Sequence, residues 1–165
     1  MQPIYITGFM GAGKTTVGKA LSAQWQVPVI DTDKYLEQKL QKKIVDIFQE
    51  EGEEQFRLYE STILHSLPTQ DVIITTGGGT VIKEENRKWM KEHGIVIYLY
   101  CDPAVITKRL QHDNTRPLFN QDDIDSFITL FHTRQSFYED AHFSIDTTNK
   151  QPAEVIDEIE KKFKI

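Results

Sequence analysis

Gly8-Phe9-Met10-Gly11-Ala12-Gly13-Lys14-Thr15 fits the pattern G-x-x-x-x-G-K-[ST] in full and follows the short apolar run Ile4-Tyr5-Ile6. A phosphate chain carries dense negative charge. It can be held where several backbone N–H groups converge with no side chains in the way. Glycines at 8, 11 and 13 permit that approach, the helix that follows offers its positive end, and Lys14 adds a point charge. Thr15 can place a hydroxyl on a magnesium ion. The alternative is a plain glycine turn between strand and helix, but the strand before and the helix pattern after favour a nucleoside triphosphate site.

Outward from this loop, short apolar runs alternate with segments of helical period. Ile4–Thr7, 27–30, 72–75, Ile95–Tyr100 and 143–145 read as strands, several of them apolar on both faces as parallel strands covered on two sides must be. Val17, Leu21 and Trp25 share one helical face, and Val155, Ile156, Ile159 and Phe163 another. Asp102-Pro103 reads as a helix start and Gly94 as a helix end. The fold class is therefore α/β, a three-layer α/β/α sandwich around a parallel sheet. Two stretches break the alternation. Residues 31–67 are too long for one crossover and read as two or three helices, interrupted near Lys42-Lys43 and Gly52. Residues 111–125 are polar, contain an Arg-Pro step and join two helices. Long insertions on such a core are where substrates and lids sit.

Composition narrows the class. The 165 residues predict one domain, and a net charge of −6 argues against a nucleic-acid surface, which rewards clustered cations. The single cysteine, Cys101, excludes an internal disulfide and suits a reducing cytoplasm; its setting after an apolar run predicts a buried packing thiol. The five histidines show no metal-ligand spacing. Nothing at the N-terminus reads as a signal peptide, and no segment reads as a membrane span.

Several residues invite chemistry. Asp31 and Asp33 follow the second strand, at the sheet edge where ligands bind in open parallel sheets. They read either as a helix cap with a first-turn acid, or as a magnesium-side carboxylate and an acceptor for a substrate hydroxyl. Arg57 and Glu60 stand at i, i+3 on a helix. They form either a surface ion pair or an arginine fork held by a glutamate and aimed at a carboxylate. Gly77-Gly78-Gly79 follows a buried strand and is either a flexible turn or a bare backbone wall against a small ligand. Arg116-Pro117-Leu118 is either solvated loop or a lid whose arginine arrives on closure. Arg109 and Arg134 are ordinary surface residues when read alone.

Taken together and in this order, over nearly the whole chain, these motifs resemble the shikimate kinase family: the loop Gly8–Thr16, Asp31-x-Asp33, Phe56-Arg57-x-x-Glu60, Gly77-Gly78-Gly79, Arg116-Pro117-Leu118, and Arg134 before Tyr138-Glu139-x-Ala141. The resemblance implies a P-loop kinase fold with a five-stranded parallel sheet in order 2-3-1-4-5, a substrate-binding helical region at 31–67 and a lid at 111–125. It implies transfer of the ATP γ-phosphoryl group to the 3-hydroxyl of shikimate, with Mg2+, by a cytoplasmic monomer that engages neither membrane nor nucleic acid. Lys14, Asp33 and Arg116 would be catalytic. Asp33, Phe48, Phe56, Arg57, Glu60, Gly78, Gly79 and Arg134 would bind shikimate. Gly11, Ala12, Gly13, Lys14, Thr15, Thr16, Arg109, Arg116 and Pro152 would bind ATP, with Thr15 and Asp31 on the metal.

The chain departs from the family pattern at Phe119, Ser136 and Thr15-Thr16, where leucine, proline and Ser-Thr are common. A gluconate-kinase-like or nucleotide-kinase enzyme shares the phosphate loop and lid but leaves Phe56-Arg57-x-x-Glu60 with the triple glycine unexplained. A non-catalytic nucleotide-binding module needs neither Asp33 nor a lid arginine.

Overall fold

The computed structural model describes residues 1–111 and 121–163. Five strands, β1 (Ile4–Thr7), β2 (Val29–Asp31), β3 (Ile73–Thr75), β4 (Ile95–Tyr100) and β5 (Phe143–Asp146), form one sheet in the order β2-β3-β1-β4-β5. All four pairings are parallel. Every residue of β1 and β3 and the four central residues of β4 are buried. Side chains alternate across a strand, so burial of successive residues requires cover on both faces. That is the sandwich expected from the alternation.

The cover comes from α1 (Lys14–Trp25), α2 (Thr32–Leu40), α3 (Ile44–Glu51), α4 (Glu53–Ser66), α5 (Glu84–His93), α6 (Pro103–Gln111), α7 (Gln121–Glu139) and α8 (Pro152–Phe163). The predicted faces are the ones buried. Val17 and Leu21 of α1 face the sheet, and Trp25 meets Phe163 of α8 edge-on at 5.5 Å. Cys101 is buried and its thiol is pushed up by that burial, as a packing residue requires. Among the described residues, no helix is long and apolar enough to cross a membrane.

Some expected boundaries shift, while the breaks near Lys42-Lys43 and at Gly52 fall where the sequence placed them. β2 starts at Val29 rather than 27, because the Val27 N–H is spent on the Ser22 carbonyl at the end of α1 and Pro28 has no N–H to give. The 31–67 stretch holds three helices, broken at residues 41–43 and at Gly52; Gln41 closes α2 in the left-handed conformation. The polar stretch expected at 111–125 ends earlier, since α7 begins at Gln121. Ile124, Phe127 and Phe131 are buried at i, i+3 and i+7, and that apolar stripe outweighs the polar residues between them. The step Arg116-Pro117-Leu118, and with it the expected lid arginine and Phe119, lies outside the described residues.

Candidate active site

The phosphate loop runs from β1 into α1. Gly11 (φ 82°) and Gly13 (φ 90°) adopt left-handed backbone, which side chains rarely tolerate, and Gly13 caps α1 with no side chain at its N-terminal end. Lys14 folds back over the loop, its Nζ donating to the carbonyls of Gly8 (2.6 Å) and Phe9 (3.1 Å). Burial lowers its pKa to about 8; Asp33 and Asp31 oppose that shift and Arg134 adds to it.

Asp31 turns its two oxygens to different partners. Oδ1 caps α2, accepting from the N–H groups of Asp33 and Lys34 at 3.1 Å. Oδ2 turns the other way and accepts from the hydroxyls of Thr15 (3.4 Å) and Thr75 (3.3 Å). These are hard oxygen donors, the type Mg2+ takes. Among the described residues no group of three or more His, Cys, Asp or Glu gathers to hold an ion unaided. A cation bound mainly through nucleotide phosphates needs no more than Thr15 and Asp31.

Beside the loop, Asp33, Phe56, Arg57, Glu60, the three glycines and Arg134 line one cavity of about 270 Å³, joined by Met10 and Ile44. Arg57 and Glu60 are not a surface pair. The glutamate is 3% exposed; its Oε1 accepts from Arg57 Nη1 (3.1 Å) and its Oε2 from the Thr80 hydroxyl (3.2 Å). Glu53 takes Nη2 at 3.3 Å, and the Arg57 Nε is buried with no acceptor. A buried unpaired donor is costly and calls for a partner, and here it belongs to a residue that lines the cavity. Arg134 reaches the same wall from α7.

The triple glycine is explained by space. None of the three has a positive φ. A Cβ on Gly77 would lie 2.6 Å from Asp33 Oδ1, and one on Gly79 only 2.2 Å from Arg57 Nη1. The bare backbone lets an acid and a guanidinium close on it from α2 and α4. The Gly77 N–H is anchored by the Thr32 hydroxyl at 3.0 Å. Asp33 itself is raised to about 6, first by burial, then by the neighbouring Glu60 and Asp31 charges, with Lys14 pulling the other way.

Of the other expected residues, Phe48 does not line this cavity; it stacks on Phe56, ring centres 4.7 Å apart. Ala12, Gly13, Thr16, Arg109 and Pro152 line a second cavity of about 270 Å³ on the far side of the loop, so the two ends of the chain are brought to the glycine loop together. The sequence reading gave no site role to Met10, Ile44, Thr75, Thr80 or Tyr138. Met10 sits inside the loop motif and Tyr138 inside the family pattern, whereas the others show no local signal.

Sheet order, the loop after β1 and an acid-and-arginine cavity at the same sheet edge define a P-loop small-molecule kinase. Within that class the assignment is specific. The family model for shikimate kinase matches residues 10–164. A shikimate kinase of Bacillus cereus is 60% identical over 162 residues, 98% of each chain. The crystal structure of the Bacteroides thetaiotaomicron shikimate kinase superposes with a TM-score of 0.89 at 32% identity, covering 99% of both chains. The Acinetobacter baumannii enzyme, solved in complex with shikimate, gives 0.88 at 33%, covering 99% of this chain and 93% of that one. The chain belongs to the shikimate kinase family.

Proposed function

We infer that the protein transfers the γ-phosphoryl group of ATP to the 3-hydroxyl of shikimate, giving shikimate 3-phosphate and ADP. The observation that carries this reading is the convergence of Arg57, Arg134 and Asp33 on one small cavity beside the phosphate loop. Two guanidinium groups suit a compact carboxylate, and an acid opposite them suits its hydroxyls.

The transition state of phosphoryl transfer is loose, so the protein contributes position and charge. Lys14 leaves the loop carbonyls for the phosphates and steadies the group in flight. Asp33 holds the acceptor hydroxyl and, when ionised, takes its proton. Arg57, kept in place by Glu60, and Arg134 hold the substrate carboxylate, while Gly78, Gly79 and Phe56 wall the ring and Phe48 backs Phe56. The loop N–H groups, Thr16, Arg109 and Pro152 hold the nucleotide. Mg2+, when bound by the nucleotide and by Thr15 and Asp31, neutralises phosphate charge. Arg116 completes the charge set on closure, a role resting on the family pattern. A monomer is the expectation carried over from the sequence reading; the single cysteine and acidic balance support a cytoplasmic enzyme free of nucleic acid.

A coupled assay of ADP release with shikimate, gluconate and nucleoside monophosphates tests the assignment. Turnover is expected with shikimate alone. Comparable turnover with gluconate or a nucleotide would replace it.

The titrations set a pH profile. Asp33 becomes anionic as pH rises through about 6, so kcat/KM for shikimate climbs through that value. Lys14 loses its charge above about 8, so kcat/KM for ATP falls there. Bound triphosphate favours the ammonium, which moves the alkaline limb of kcat upward relative to that of kcat/KM. Rates flat between pH 5 and 7 would remove Asp33 from the chemistry.

Gly79→Ala forces the Arg57 guanidinium aside. The expected result is a KM for shikimate raised about tenfold, equivalent to about 1.4 kcal/mol, with KM for ATP unchanged. An unaltered shikimate KM would mean that the guanidinium does not touch the substrate.

A further inference from the structure

We propose that Tyr138 is a positioning residue for the carboxylate side of the site, acting through its hydroxyl on Arg134 and on the Gly78–Gly79 peptide; this rests on the reading of that cavity as the shikimate site. Tyr138 is 1% exposed, near the end of α7 and one helical turn beyond Arg134. Its hydroxyl donates to the Gly78 carbonyl and lies beside the Arg134 guanidinium, whose positive charge opposes the upward push of burial on the phenol. Both partners line the substrate cavity, and Tyr138 does not.

The hydroxyl does two things. It stands as a fixed polar neighbour of the Arg134 guanidinium: a side chain on Gly78 would meet Arg134 Nη1 at 3.8 Å and the Tyr138 hydroxyl at 3.9 Å. It also sets the direction of a peptide plane. The Gly78–Gly79 bond is trans, so its carbonyl and N–H point opposite ways. With the carbonyl held by Tyr138, the Gly79 N–H faces away from it, and among the described residues that N–H has no acceptor. Two glycines in sequence would otherwise leave this plane free to rotate.

The ring is held independently of the hydroxyl. It stacks on Tyr98 of β4 (5.3 Å, 28°) and meets Phe9 of the phosphate loop edge-on at 6.3 Å. Tyr98 supplies a matched control, because its own hydroxyl is buried beside Tyr138 with no partner.

The test is calorimetric titration of shikimate and kinetics of both substrates for the wild type, Tyr138→Phe, Tyr98→Phe, Arg134→Ala and the Tyr138→Phe/Arg134→Ala pair. Tyr138→Phe keeps the ring, so the phosphate loop is undisturbed. Its Kd for shikimate is expected to rise roughly five- to tenfold, the effect of one lost hydrogen bond, with KM for ATP within twofold. Tyr98→Phe is expected to bind shikimate like the wild type. In the Arg134→Ala background the Tyr138→Phe effect is expected to shrink. The proposal is overturned by unchanged shikimate affinity in Tyr138→Phe, by equal losses for shikimate and ATP, by an equal loss in Tyr98→Phe, or by fully additive effects in the pair. A wild type that does not bind shikimate would instead overturn the assignment of the substrate.

Discussion

Arg57→Ala is expected to raise the Kd for shikimate roughly 30- to 1,000-fold, about 2–4 kcal/mol, with kcat changed far less. The guanidinium is bound to the protein before any substrate arrives: Glu60 and Glu53 hold its two terminal nitrogens, Phe56 lies against its face at 5.2 Å, and Gly79 abuts it. A fork fixed in this way loses little freedom on binding, so its removal costs nearly the whole charge-assisted contact. The methyl ester of shikimate is the discriminating ligand. The wild type should bind the ester poorly, and Arg57→Ala should narrow the gap between acid and ester, with Arg134 keeping the remainder. Equal acid affinity in variant and wild type would end the clamp. Stability carries a second signature. Burial already raises the Glu60 pKa and Arg57 lowers it, so the variant raises it further. An acid with a raised folded-state pKa destabilises the fold above its unfolded pKa and is relieved below it. The thermal midpoint of Arg57→Ala should therefore fall more at pH 8 than at pH 5.

Much of this was legible in the residues, and the remainder was not for physical reasons. A phosphate site is a local feature: closely spaced glycines, a lysine and a helix start lie within a few residues, so Gly8–Thr15 announces it. Alternation of strand and helix is local as well, and it was sufficient for the layers; the strand order came from the family resemblance. Asp31 could not be decided between cap and metal side because both readings rest on one carboxylate, and only the fold gives Oδ1 to the cap and turns Oδ2 to Thr15 and Thr75. The triple glycine could be seen as a wall, but that Gly77 makes room for Asp33 and Gly79 for Arg57 depends on helices 20 or more residues away in sequence. Thr80 carries no signal at all, and Tyr138 only its place in the family pattern, since an isolated hydroxyl acquires meaning only from the carboxylate or carbonyl it meets. Phe48 entered only through the family resemblance, as a substrate contact, and the fold packs it against the Phe56 ring outside the cavity lining.

Asp33→Asn is expected to lower kcat by roughly 10²–10⁴-fold, the range for loss of a positioned acid or base, with shikimate affinity reduced much less. The amide is the same size, so it keeps the tight fit against Gly77 and an oxygen able to accept a hydrogen bond from the substrate hydroxyl. It removes only the charge and the basicity. If alignment were the whole contribution, Asn would retain most of the rate. The pH profile separates the two cases further. The acid limb near 6 should vanish with the carboxyl that produces it. The alkaline limb should move to lower pH, because the Asp33 charge is the leading influence that holds the Lys14 pKa up against burial, and without it the ammonium gives up its proton sooner. Loss of rate and a displaced lysine titration thus arise from one substitution through one electrostatic pair. A variant that retains more than a tenth of the wild-type kcat, with the limb near 6 still present, would assign that titration to another group and leave Asp33 as a substrate contact only.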